Sequence, residues 1–200
     1  NKTELENRGV IHLGGNIFRD KNDTLRAKFR FFPSHILLND DKWDISSSDI
    51  SFGGSDINIG NLSIRGDNQS IVLAGGYSPT MADTLRLKMD KFDISMLNAF
   101  SKMDLKIKGL LSGNAVLISP TKERTGLLLG MTCDSAEFGG ERIGTLRMAS
   151  VWNEERHGFN YVCRNDLDGV QNLNAYGNFY PKTRLLEGKV TLDRLNVGYG

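Results

Sequence analysis

The sequence has few of the features that usually identify a function. Its 200 residues include only two cysteines and four prolines, and aromatic residues make up 8%. The 25 Lys and Arg residues are balanced by 24 Asp and Glu residues, and neither sign forms a run. A basic stripe for nucleic acid is therefore missing, and no segment approaches the ~18 apolar residues of a membrane-spanning helix. We expect no nucleic-acid partner and no membrane span in this chain.

Motifs for enzymatic chemistry are also missing. HExxH, CxxC and GxSxG do not occur, and His12, His35 and His157 have no metal-ligating neighbour at short spacing. Paired catalytic acids share a cleft, whereas adjacent residues on a strand point to opposite faces, so Asp40–Asp41 and Glu154–Glu155 are interpreted as turn residues. We predict that the chain is not an enzyme and uses no cofactor and no metal.

Other short motifs have structural interpretations. RNDLDG at 164–169 lacks the spacing and distal Glu of an EF-hand, and its DG pair favours a hairpin turn. The RGD tripeptide at 65–67 begins RGDNQ, which is typical of a tight turn. Cys133 and Cys163 alternate with apolar neighbours, which favours small buried side chains, although the sequence leaves open whether they pair.

The dominant feature of the sequence is alternation of apolar and polar residues. Leu25, Ala27 and Phe29 alternate with Arg26 and Lys28, and similar runs continue to the end of the chain. The turn signals RGDNQ, SGN, FGGE, NEERHG and NDLDG separate these runs. Alternation with turns about every 8–12 residues predicts an all-β antiparallel meander with one polar, solvent-exposed face and one apolar face.

An internal repeat supports a sheet built from similar hairpins. DTLRAKF at 23–29 nearly recurs as DTLRLKM at 83–89, and a degenerate copy lies at 175–197. The spacing between copies is unequal, which disfavours a solenoid with a fixed rung. It is compatible with hairpins arranged along one elongated sheet.

One segment departs from the strand pattern. In SMLNAFSKM, Met96, Leu97, Phe100 and Met103 have helical spacing, and Ser95 precedes them as a candidate N-cap. The pattern predicts a short amphipathic helix over 95–103, which either covers an end of the sheet or gates a cavity.

The apolar face of such a sheet must be covered to exclude water. A second sheet in a sandwich, closure into a barrel, or a non-protein hydrophobe in a groove would each cover it. In an open trough, each acyl methylene removed from water contributes ~0.8 kcal/mol. Periodicity alone does not separate an open trough from an ordinary sandwich core.

The motifs from Trp43 onward resemble a known family. WDI and INIGNLSI precede GYSP, DTLRL and LNAF, and IKGLLSG follows at 107–113. The segments 141–163 and 174–197 continue the pattern. This succession resembles the repeated segments of TamB-like proteins in the AsmA-like superfamily. The first 40 residues match more loosely.

The resemblance implies a fold and a setting. TamB-like proteins are long periplasmic chains anchored in the inner membrane, and their β-rich body forms a U-shaped, hydrophobic-lined trough, or β-taco. They are associated with phospholipid transport between membranes and with outer-membrane protein assembly alongside a BamA-like partner. On this basis residues 1–200 are expected to be a single β-groove segment, an internal piece of a much longer chain.

We therefore expect a hydrophobic-groove module that binds phospholipid or another acyl-chain ligand. The candidate groove-lining residues are Leu85, Leu87, Met89, Leu105, Ile107, Leu127, Leu129 and Met131. One alternative is a scaffold or chaperone whose sheet edges receive strands of nascent β-barrel proteins. Another alternative, which the low aromatic content disfavours, is a carbohydrate-binding or adhesin-like β-sandwich.

Overall fold

The alternating segments form strands throughout the chain. A computed structural model describes residues 8–38, 41–79, 83–99, 106–121 and 124–193. These residues are all-β: they form one open antiparallel sheet and contain no α-helix. The all-β prediction is confirmed.

Within the described ranges, fifteen strands make up the sheet. The first nine are β1 (Arg8–Val10), β2 (Leu13–Arg19), β3 (Leu25–Phe31), β4 (Ser34–Leu38), β5 (Asp41–Ile45), β6 (Ser48–Gly53), β7 (Asp56–Arg65), β8 (Ser70–Tyr77) and β9 (Thr84–Asp93). A short 3-10 helix, Ile94–Ala99, follows. The others are β10 (Lys108–Thr121), β11 (Arg124–Phe138), β12 (Glu141–Asn153), β13 (Gly158–Asp166), β14 (Leu173–Tyr180) and β15 (Leu185–Leu192).

The chain divides into two units. Unit 1 comprises Asn1–Phe92 and Val116–Gly126, and unit 2 comprises Asp93–Ala115 and Leu127–Gly200. In both units each strand pairs antiparallel with the strand next to it in sequence, apart from the interrupted strands described below. The expectation of a single segment over 1–200 stays a prediction.

Unit 1 begins with long strands that are each broken in the middle. Ser34 of β4 pairs with Ile45 of β5, and Phe31 of β3 pairs with Ser48 of β6. The two pairings have the same register, so β3–β4 and β5–β6 are two long strands, each interrupted once. The breaks fall at 11–12, 32–33 and 46–47, and the pairing of β7 with β8 shifts between Ile59 and Asn61. These positions form an interruption line that crosses the sheet.

Two serine hydroxyls bridge the interruption line. Ser34 Oγ accepts the His12 N–H at 3.0 Å and donates to the Phe32 carbonyl at 2.8 Å. Ser46 Oγ accepts the Ser63 N–H at 2.9 Å and donates to the Asn61 carbonyl at 3.4 Å. The hydroxyls therefore satisfy backbone groups that the broken ladder would leave without a partner.

The interruption line keeps the apolar residues on one face. Ile64 pairs with Ile71 and Ile59 pairs with Gly75, and residues 71 and 75 share a face of β8. Without a shift, positions 59 and 64 would lie on opposite faces, because side chains alternate along a strand. The bulge near Gly60 supplies the one-residue shift. The apolar face therefore continues across the line.

The predicted helix over 95–103 is wrong. Ile94–Ala99 forms only a short 3-10 helix, while residues 100–105, with Phe100 and Met103, lie outside the described residues. The Asp93 carboxylate accepts the Ser95 N–H at 2.9 Å, so Asp93 takes the position expected for Ser95. Asn98 also bonds both backbone groups of Ile107, at 2.9 and 3.3 Å, and this draws the segment toward the next strand.

The turn signals are mostly confirmed. RGDNQ joins β7 to β8, FGGE joins β11 to β12, NEERHG joins β12 to β13, and NDLDG leads from β13 toward β14. The interpretation of SGN at 112–114 as a turn is wrong, because these residues lie inside β10. There Gly113 has a φ of +143°, which an L residue rarely adopts.

We predict that Ser46→Ala lowers the free energy of unfolding by about 1–2 kcal/mol, because the Ser63 N–H and the Asn61 carbonyl lose their partner. Chemical denaturation provides the measurement, and Ser47→Ala is the matched control because Ser47 is an exposed neighbour. Equal stability of the two variants would contradict the bridging role of the hydroxyl.

Candidate functional site

In unit 1 the candidate residues on β9 lie within the apolar face. Leu85, Leu87 and Met89 pair in register with Gly75, Leu73 and Ile71 of β8. All three candidate side chains are half-buried. They share this face with the apolar residues of the neighbouring strands, which are Leu62 and Ile64 of β7 and Trp43 and Ile45 of β5.

Two aromatic rings meet at one end of this face. The centroids of Trp43 and Phe92 are 6.3 Å apart, with an interplanar angle of 63°. Strands β7 and β8 lie between β5 and β9, which is roughly 14 Å along a flat sheet at about 4.8 Å per strand. Trp43 also lies close to Gly66 in the β7–β8 turn and is 1% exposed. The two side chains therefore pack over this turn.

In unit 2 the candidate residues lie on or next to two strands. Leu127 and Leu129 are half-buried and Met131 is buried, all on β11, and Ile107 is half-buried just before β10. Leu105 lies outside the described residues. Met131 pairs with Met148 of β12, which pairs with Cys163 of β13. Cross-strand pairs of this kind share one face.

The apolar face of unit 2 also carries a row of aromatic side chains. Trp152 and Phe159 have ring centroids 4.8 Å apart, and Phe159 stacks on Phe179 at 6.4 Å and 13°. Leu186 continues this row on β15. Phe179 and Leu186 are exposed, so the row stays open toward the end of the sheet.

Sulfur-containing side chains of β11 fill the space over glycines of β10. A Cβ at Gly113 would lie 2.1 Å from the Gly130 carbonyl oxygen, 2.8 Å from Met131 Cα and 2.9 Å from Met131 Sδ, and a Cβ at Gly109 would meet Cys133 Sγ. Gly109 has a φ of +141° and Gly113 one of +143°. Glycine is required here both for the backbone conformation and for the close approach of β11.

The two cysteines are free thiols. Cys133 is buried and Cys163 is half-buried, both on the apolar face. Burial raises the pKa of both thiols, because the thiolate loses hydration. The charges of Asp134 and Asp93 raise the pKa of Cys133 further. Both side chains therefore act as small apolar groups.

Most large apolar side chains of the described residues are accessible to solvent. Among the described residues, the buried apolar side chains are Trp43, Ile45, Ile59, Met96, Met131, Cys133 and Ala136, whereas nineteen large hydrophobic residues are exposed. The strands that pack most closely are those that neighbour each other in the sheet. Within the described parts of each unit, pairing brings strands together edge to edge.

Sequence reasoning missed several members of the candidate site. Tyr161 lies across Gly177 of β14 and Gly188 of β15, where any Cβ would collide with its phenolic oxygen. Phe179 and Leu186 were also missed. Their alternation was visible in the sequence, but the cross-strand register that aligns Leu186 with the aromatic row depends on turn geometry.

The described residues were compared with the side-chain cluster that a metal ion needs and with the helix that a membrane span needs. Within the described ranges, no group of three or more His, Cys, Asp and Glu residues lies close enough together to hold a metal ion. No helix in the same ranges is long and apolar enough to cross a bilayer.

No protein-family model, no curated protein and no solved structure matches this chain. The resemblance to TamB-like proteins therefore rests on the sequence motifs, and it stays a prediction.

We predict that Gly113→Ala destabilises the protein by about 2 kcal/mol or more, because alanine is strained at this φ and its Cβ collides with the Gly130 carbonyl oxygen and with Met131. Gly130→Ala is the matched control, since Gly130 is exposed and a Cβ there meets nothing within 4 Å. The free energy of unfolding of both variants provides the measurement. A Gly113 variant as stable as the Gly130 variant would contradict the close approach of β10 and β11.

Proposed function

We propose that the apolar faces of the sheet form a hydrophobic groove that binds the acyl chains of phospholipids. In this proposal the sheet curves into a trough, and the chain is a non-catalytic module of a TamB-like periplasmic protein anchored in the inner membrane. Its function is to contribute to phospholipid transport between membranes and to outer-membrane protein assembly with a BamA-like partner.

The accessible apolar surface carries this proposal. Among the described residues, nineteen large hydrophobic side chains are exposed, whereas seven apolar side chains are buried. A contiguous exposed apolar surface marks an interaction site. Half-buried Leu85 and Leu87 have neighbours within the sheet and retain surface for a guest.

The Trp43–Phe92 contact supports a concave apolar face in unit 1. The two rings belong to strands separated by β7 and β8, yet their centroids lie 6.3 Å apart. Curvature toward the apolar side shortens the distance between such side chains. A concave face contacts an acyl chain on more sides than a flat one and removes more of it from water.

The chemistry of the two faces supports the orientation of the groove. The face opposite Leu85 and Leu87 carries charged side chains, among them Arg30, which forms two hydrogen bonds with Asp49 at 2.6 and 2.8 Å. This hydrogen bonding lowers the pKa of Asp49, so its carboxylate stays ionised at neutral pH. A charged face remains in water while the apolar face is available to lipid.

We predict that Leu87→Asp weakens phospholipid capture by at least roughly tenfold, because a charge on the apolar face repels acyl chains and removes methylene contacts. Lys88→Asp is the matched control, since it places the same charge on the opposite face of β9. Photocrosslinking at position 85 to phospholipid in vesicles measures capture, and circular dichroism checks that both variants remain folded. Equal capture by the two variants, or no lipid crosslink from position 85 when Leu87 and Lys88 are unchanged, would refute the groove.

A further inference from the structure

Two arginines face each other on the side of unit 2 opposite its apolar face. Arg147 of β12 and Arg164 of β13 are direct register partners, and both side chains are exposed. Their strand neighbours Met148 and Cys163 point to the apolar face, so the two guanidinium groups project from the other face. Like charges directly opposite each other destabilise a pair of antiparallel strands. A bound anion would remove this repulsion.

The side chains around the two arginines leave most of their donors available. Arg164 Nε donates to Oδ1 of Asn174, its register partner on β14, at 3.3 Å. None of the described residues forms a hydrogen bond or an ion pair with the Arg147 guanidinium. Asp166 lies two residues beyond Arg164 on the same face, but it accepts the Gly169 N–H at 3.0 Å and forms no ion pair with either arginine.

The rest of this cross-strand row consists of neutral groups that can donate. Thr132 of β11 is the register partner of Arg147, and Asn174 ends the row on the other side. The Thr132 hydroxyl and the Asn174 amide both carry donor hydrogens. A depression of about 640 Å³ lies over the row, and its lining includes Thr132, both arginines and Gln171. Strand residues between them also border it through their main chain, because their side chains alternate to the apolar face.

Charges in the neighbouring rows define where an anion can lie. On one side are the carboxylates of Asp166 and of Asp134, which accepts a hydrogen bond from the residue opposite Asp166. On the other side are Ala149 and Val162, and the exposed Lys189 lies at the end of that row. An anion held between the arginines therefore lies toward the side of Ala149 and Val162, away from the carboxylates.

We propose that Arg147 and Arg164 bind a phosphate monoester. A guanidinium fork binds two oxygens of an anion at once, so one fork satisfies both oxygens of a carboxylate. A phosphate monoester has three unesterified oxygens and can accept from both arginines. Its charge of about −2 near neutral pH balances the two guanidinium charges. The arginines lie on the face opposite the apolar side chains, so binding does not depend on the groove of the proposed function.

The test uses small anions that differ in their unesterified oxygens. Methyl phosphate has three such oxygens, whereas dimethyl phosphate and acetate have two each. Each anion is titrated into the intact chain in phosphate-free buffer while NMR follows the Arg147 and Arg164 Nε–H resonances. We expect methyl phosphate to bind at least about fivefold more tightly than either of the other anions and to shift both resonances.

Three variants make the test specific. Arg147→Gln and Arg164→Gln are each expected to weaken methyl phosphate binding at least about fivefold, because each removes one fork. Arg156→Gln is the control, since it removes the same charge from the exposed turn between β12 and β13 and should leave binding unchanged. In phosphate-free buffer, Arg147→Gln should be at least as stable to heat as the unsubstituted protein, because it removes a like-charge contact. Methyl phosphate should raise the melting temperature of the unsubstituted protein and not that of Arg147→Gln.

Vesicles distinguish two sources of the ester. If a lipid carries it, vesicles of equal parts phosphatidylcholine and phosphatidate bind the protein more tightly than phosphatidylcholine vesicles do, and Arg147→Gln abolishes the difference. If the two vesicles bind equally, the ligand is a soluble ester. Leu87→Asp, which tests the groove, should leave methyl phosphate affinity unchanged, so failure of this site and failure of the proposed function are distinguishable.

The proposal is overturned if methyl phosphate binds no more tightly than acetate, or if neither Nε–H resonance shifts. It is also overturned if Arg156→Gln weakens binding as much as Arg147→Gln does. Lower stability of Arg147→Gln in phosphate-free buffer would show that Arg147 stabilises the sheet without a ligand, and this too would overturn it.

Discussion

Main-chain hydrogen bonding between consecutive antiparallel strands is the constraint on which the other features of this chain depend. The pairing continues even where strands are broken, because Ser34 and Ser46 bond the backbone groups that the ladder leaves behind. Where β10 and β11 approach closely, glycine at 109 and 113 makes room for Cys133 and Met131. Local chemistry therefore preserves the sheet where regular pairing alone would fail.

Because the strands contact one another mainly along their edges, the two faces of the sheet are only partly covered. The shift at the interruption line keeps apolar residues such as Ile59 and Ile64 on one side, and charged pairs such as Arg30–Asp49 lie on the other. Side chains of adjacent strands cover the apolar side only in part. A lipid guest would remove that surface from water without requiring any catalytic group, and this links the exposed surface to the proposed groove.

The alternation of apolar and polar residues was sufficient to predict an all-β antiparallel chain and most of its turns. It failed at SGN, because Gly113 allows β10 to lie close to β11, and this contact is not visible in the sequence of β10 alone. It also failed for the helix over 95–103, where Asn98 bonds the backbone of Ile107 and tertiary contacts prevail over helical spacing. Side-chain periodicity correctly placed Leu85 and Leu87 on the same face of a strand. The alignment of Trp152, Phe159 and Phe179 required the register, which a single strand does not contain.

The central claim is that apolar side chains of the sheet remain accessible to a guest. Methyl NMR with a soluble nitroxide tests it most directly, using Ile45 as the buried reference and Leu186 as the exposed one. The account predicts that the nitroxide relaxes the Leu85 and Leu87 methyl groups more strongly than that of Ile45, and that added phospholipid abolishes the difference. Leu85 and Leu87 methyl groups as protected as Ile45 before any lipid is added would contradict it.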